Sequence, residues 1–160
     1  MKLSCASTYA ISALSSMASQ EEPGTIVASH HTAAAQGIPE KMLLKVLGAL
    51  ARAGLVQSLK GPKGGYRLAR PAARITLLDI VEAVDGPIRG DVPALVAPAS
   101  DPAGDGASKS LVTDRAAARL HEVYQQIAES SRKQLGKVRL TDMLGPTASE
   151  KTKGRRQAKD

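Results

Sequence analysis

The sequence predicts a mainly α-helical chain that carries one small β-hairpin, and three observations support this. Apolar residues recur at helical spacing in several separate stretches. Two short runs, 55–59 and 66–69, flank a tip rich in glycine and lysine and read as strands. The 42% of hydrophobic residues include no Trp and no Phe, and only Tyr9, Tyr66 and Tyr124 supply rings. Ala, Leu, Val and Ile must therefore fill the interior, which suits close-packed helices better than a β-sandwich. A chain of 160 residues holds one compact domain with extra elements rather than two full domains.

The first helix is predicted over 4–19, where Ala6, Tyr9, Ala10, Ala13, Leu14 and Met17 share a face. Ser4 caps it, and Glu21, Glu22, Pro23 and Gly24 end it. A short helix over about 26–36 stops at Gly37. In the following Gly37-Ile38-Pro39-Glu40, the glycine turns the chain and the proline sits at a helix start, where a missing N–H costs nothing. The glutamate favours the positive end of the helix dipole. This third helix runs to Ala53 and closes at Gly54. Met42, Leu43, Val46, Leu47 and Leu50 form its apolar set, and Lys41, Lys45, Gly48 and Arg52 lie opposite. A solvated face would show the same cationic stripe.

The hairpin tip is Lys60-Gly61-Pro62-Lys63-Gly64-Gly65. Its glycines permit close approach to another surface and leave backbone N–H groups available, while the lysines add charge. An ordinary turn with solubilising lysines is the competing reading. The phosphate-loop pattern is absent, so nucleotide binding is not expected. Thr76-Leu77-Leu78-Asp79 then reads as a capping motif for a helix that buries Ile80, Val81 and Val84 and ends at Gly86-Pro87.

Residues 88–110 are rich in Pro, Gly and Ala with little periodicity and read as a flexible loop. A long helix is predicted over 111–135. Ala116, Leu120, Val123, Ile127 and Ser130, with Tyr124 beside them, form a narrow seam suited to pairing with a second copy; packing on its own domain is the alternative. Residues 141–144 form a final turn. From 149 to 160 there are five cations and two acids, as expected of a disordered tail that either attracts phosphate or merely solvates the chain. The expected organisation is a domain over 1–87, a flexible loop over 88–110, a dimerisation helix and final turn over 111–145, and a basic tail over 146–160.

Charge then narrows the function. The chain carries a formal +7, and between Lys41 and Arg74 there are eight cations and no acid. Solvated surfaces normally mix signs, so this stretch points to phosphate. A two-helix unit followed at once by a basic hairpin is the plan of a winged helix-turn-helix, in which the second helix enters the major groove and the hairpin reaches a neighbouring groove or phosphates. The partner expected is double-stranded DNA, contacted by Glu40, Lys41, Lys45, Lys60, Gly61, Lys63, Gly64, Gly65 and Arg67. A homodimer would present two such helices to a palindromic site. The rival reading is a winged-helix protein-interaction module with only nonspecific DNA affinity, since fold does not fix function.

Other classes find little support. No Ser/His/Asp or Cys/His set, phosphate loop or paired acids suggests an enzyme. His30 and His31 are adjacent and point about 100° apart on a helix, and His121 lies elsewhere, so neither a metal site nor a cofactor is expected. The single Cys5 excludes an intrachain disulfide and fits a reducing compartment. It is either a redox sensor or a small buried apolar residue. The first residues have no uninterrupted apolar run, and no run approaches membrane-spanning length, so a cytoplasmic location is expected.

Met1-Lys2-Leu3-Ser4, Tyr9-Ala10, Gly54-Leu55-Val56, the run from Gly61 to Pro71 and the run from Ile75 to Pro87 together resemble the Rrf-two (Rrf2) family of bacterial regulators. The resemblance is close over about 1–87 and looser over the long helix. It implies a homodimeric winged-helix repressor or activator whose long helices pair, with DNA contacts from the helix at 39–53 and from the wing. Many members carry three cysteines after the Gly-Pro that bind an iron–sulfur cluster; 88–110 has none here, and such clusters need thiolates. Where cluster-bearing members place a base-contacting glutamate, this chain has Leu44. Lys60 stands where an arginine often sits, which keeps phosphate attraction but loses a bidentate fork.

Overall fold

A computed structural model describes residues 3–20, 24–62, 64–91 and 114–144 of the protein. They belong to two compact units: one runs to Pro87 and resumes at Leu135, and the other runs from Ile88 to Gln134. The expected tail at 146–160, and the expected loop apart from Ile88–Asp91, lie outside the described residues.

In the first unit, α1 (Cys5–Ala18) starts where Ser4 Oγ accepts from the Ser7 N–H at 3.0 Å, the cap that satisfies a helix-start donor. Its buried face is Ser7, Ala10, Ala13, Leu14 and Met17. Alanines on that face allow close approach to α3 (Glu40–Arg52) and α4 (Leu77–Asp85), both of which pack on it. α2 (Ser29–Gln36) ends at Gly37 with φ +62°, the left-handed backbone that glycine adopts without strain. The sequence placed the start of α2 near 26. It begins later because Val27 is taken by the sheet: Val27 N–H donates to Tyr66 O at 2.8 Å and Val27 O accepts from Tyr66 N–H at 2.9 Å.

The hairpin consists of β1 (Val56–Leu59) and β2 (Gly65–Leu68), antiparallel in the register Val56↔Leu68, Gln57↔Arg67, Ser58↔Tyr66 and Leu59↔Gly65. α4 has the predicted capping box: Asp79 N–H donates to Thr76 Oγ1 at 3.0 Å and Thr76 N–H donates to Asp79 Oδ2 at 2.9 Å. The core is aliphatic, with Leu14, Leu43, Leu47, Leu50, Leu55, Ile75, Ile80 and Leu140 fully buried.

Leu140 belongs to the segment that follows the long helix. Leu77 N–H donates to Val138 O and Leu140 N–H donates to Ile75 O, each at 2.9 Å, and a 3-10 turn over Leu140–Met143 follows. The final turn is thus present, but it is part of the N-terminal unit. One buried leucine and two backbone bonds leave no periodic trace in sequence, so spacing alone does not place the turn there.

A polar clamp joins the ends of α1 and α4. Ser4 Oγ and Ser7 Oγ donate to the two carboxylate oxygens of Asp85 at 2.5 and 2.7 Å, and Ser7 is fully buried. Asp85→Ala strands the Ser7 hydroxyl and is expected to cost about 1–3 kcal/mol of stability in urea unfolding. The lower end applies if Ser7 turns back to a helix carbonyl. An unchanged midpoint would show that the clamp carries no net stability.

In the second unit, α5 (Asp114–Leu135, its last residue in the first unit) buries Ala117 and Ala128. The seam residues Leu120 and Val123 are half-buried, whereas Ala116, Ile127 and Ser130 are exposed, with Ile127 at 56%. Gly90 lies against this helix so closely that a Cβ there would sit 2.6 Å from Gln125 Cα.

Candidate nucleic-acid interface

α2, the turn at 37–39 and α3 form a helix-turn-helix. Ile38, only 6% exposed, pins the turn into the core, and its N–H donates to Ala33 O at 3.0 Å. Pro39 takes the N-cap position, and its carbonyl accepts from Met42 and Leu43 N–H as the first turn of α3 forms. Glu40 opens the helix and Arg52 lies in its last turn, each at the end its charge favours.

α3 buries Leu43, Val46, Leu47 and Leu50. Met42 was expected among them and is not; it is 42% exposed. The step of about 100° from Leu43 carries it onto the flank of the helix. Glu40, Lys41, Lys45 and Arg52 are exposed, and Gly48 is half-buried. Leu44 is also exposed, at 41%.

The chain passes from α3 through Ala53 and Gly54 straight into the hairpin, and Leu55 N–H donates back to Leu50 O at 2.9 Å. At the tip Lys60, Gly61 and Pro62 are exposed, while Lys63 lies outside the described residues. Gly64 N–H donates to Gly61 O at 2.9 Å and closes the turn. The glycines have a reason that involves no partner. A Cβ on Gly64 would lie 2.4 Å from Leu59 O, and one on Gly65 would lie 2.5 Å from Val27 O. Arg67 differs from the lysines: its Nε and Nη2 donate to Gln57 Oε1 at 3.0 and 2.8 Å. Its guanidinium is therefore held by its cross-strand partner. Register counted outward from the tip would have revealed that pair.

Cys5 is a free thiol at the first residue of α1, and it is exposed. The reading of it as a buried apolar residue is therefore wrong: the buried positions of this helix begin at Ser7 and Ala10. His30 and His31 are exposed on α2 with ring centroids 4.3 Å apart. Among the described residues, no group of three or more His, Cys, Asp or Glu is placed to hold a metal ion. No helix among them is long and apolar enough to cross a membrane.

A helix-turn-helix leading directly into a two-stranded basic hairpin defines a winged helix-turn-helix protein. Residues 3–146 match the model of the Rrf2 family, described as iron-dependent transcriptional regulators, and the chain belongs to that family. The IscR regulator of Cereibacter sphaeroides is 31% identical over 145 residues, covering 90% of this chain and 87% of that one. A relative from Mycobacterium tuberculosis, assigned to the HTH-type transcriptional regulators, is 40% identical over 88 residues. That match covers 55% of this chain and spans about half the length of the relative, 54%. The solved structure of CymR, the global cysteine regulator of B. subtilis, shares the fold with a TM-score of 0.64 at 24% identity, covering 89% of this chain and 95% of that one. The family description names iron, but the residues here do not fit a three-thiolate cluster. Cys5 is the one cysteine in the sequence, and 88–113 contains neither Cys nor His.

Proposed function

We propose that the protein is a cytoplasmic, sequence-specific DNA-binding transcription regulator that acts as a homodimeric repressor without a three-cysteine iron–sulfur cluster. The observation that carries this reading is the surface of α3. After Glu40 it offers Lys41, Lys45 and Arg52 to solvent, and no acid appears from there to Arg74. A helix of that charge entering a major groove, with Lys60, Lys63 and the glycine-rich tip beside phosphates, accounts for both elements at once. Pairing of α5 with its twin is supported by the exposed Ile127 on its apolar seam and the exposed Tyr124 beside it.

The test is fluorescence anisotropy of the full chain across a salt series. It compares DNA from the gene's own upstream region with a scrambled duplex. Wild type is expected to prefer the native duplex with a steep salt slope, and Lys60→Ala/Lys63→Ala to flatten that slope by about one unit per lost phosphate contact. Equal weak binding to both duplexes, unmoved by the wing substitutions, would sink the regulator reading. The exposed Met42 and Leu44 would then favour a protein-interaction module.

Exposure of the Cys5 thiol at the start of α1 supports a redox-sensing role in this regulator. Peroxide is expected to release wild type from DNA and to leave Cys5→Ser bound. Full release of Cys5→Ser by peroxide would remove the thiol from the signal path.

A further inference from the structure

We propose that Leu44 reads thymine 5-methyl groups in the major groove and is a specificity-determining residue of α3; the inference rests on the DNA-binding reading above. Leu44 is 41% exposed on a helix whose other leucines, Leu43, Leu47 and Leu50, are fully buried. It stands one turn after Lys41 and one turn before Gly48, so it adjoins both on the helix surface. Among the described residues nothing lies within 4 Å of the position a Cβ on Gly48 would take, and none of them requires a glycine there. A bare backbone lets an outside surface come close to α3, and Leu44 flanks that point of approach.

A leucine donates and accepts no hydrogen bond, so it can recognise only an apolar group. Among the groups on the major-groove edges of the four bases, the apolar one is the thymine methyl. Lys41 and Lys45 supply the complementary charge that brings phosphates alongside. Met42, although 42% exposed, is turned about 200° around the helix from Leu44 and does not share its patch.

The test begins with duplexes enriched from a randomised library by the full chain, which define a consensus. Each thymine is then replaced singly by deoxyuridine, which removes the methyl and keeps the hydrogen-bonding edge. At one thymine per half-site, replacement is expected to weaken wild type about fourfold, the worth of one buried carbon. Leu44→Ala is expected to bind the thymine duplex more weakly, to keep the wild-type salt slope, and to show no loss at that position. If wild type tolerates uracil everywhere, or if Leu44→Ala suffers the same uracil loss as wild type, thymine reading by Leu44 is overturned. A retained preference for the consensus over a scrambled duplex would then leave the DNA-binding reading intact. Failure of the library to enrich any sequence would overturn both.

Discussion

Replacing Lys41 and Lys45 together by alanine is expected to weaken binding to the preferred duplex by about 10²–10³-fold and to flatten the salt slope by about four units in a dimer. Both side chains are exposed on the face of α3 opposite Leu43, Val46, Leu47 and Leu50. Neither is tied to an acid among the described residues. On the proposed reading each would displace condensed counterions, so a dimer would lose four such contacts. The fold should be untouched, since alanine is at least as good a helix former as lysine and no packed group is removed. The double variant is measured by anisotropy at several salt concentrations, beside a thermal melt. Unchanged affinity and slope in a normally folded variant would remove α3 from the DNA contact.

Leu140→Ala is expected to destabilise the protein by about 2–5 kcal/mol, a large share of the roughly 5–15 kcal/mol that holds a typical domain folded. Leu140 is fully buried in the same cluster as Leu14, Leu47 and Ile75, and its N–H donates to Ile75 O at 2.9 Å. Truncation leaves a cavity among helices already fixed by their own contacts, so the site cannot collapse to fill it. Ile127→Ala provides the contrast. Ile127 is 56% exposed, so in the monomer its truncation should cost under about 0.5 kcal/mol. Urea unfolding of both variants, at a protein concentration where the chain is monomeric, checks the pair. A Leu140→Ala midpoint equal to wild type would mean that the C-terminal segment does not complete the core.

Much of the candidate interface is legible because its signals are local. The cationic stripe of α3 follows from spacing alone, and the hairpin from two apolar runs around a glycine-rich tip. Other features are not. Met42 read as core because apolar character and near-helical spacing suggest burial, yet the packed arc of α3 is narrower than its apolar residues. Gly64 and Gly65 looked like points of approach for DNA. Their positions also carry the backbone contacts that close the wing, with Leu59 O and Val27 O where a side chain would begin. Both demands select glycine, so the residue type alone cannot separate them.

The helices, most of their ends and the charge of α3 follow from local sequence; the start of α2 does not. Periodicity, the Ser4 cap, the Thr76–Asp79 box and the turn glycines all act within a few residues, where torsion preferences and capping bonds operate. Tertiary packing alone sets that Val27 joins the wing, that Asp85 clamps Ser4 and Ser7, and that Leu140 returns to fill the N-terminal core. Those pairings join positions as many as 81 residues apart. Backbone bonds form for almost any side chain, and a single plug has no period. Such contacts are selected by the packed surfaces they meet, which exist only once the helices have assembled.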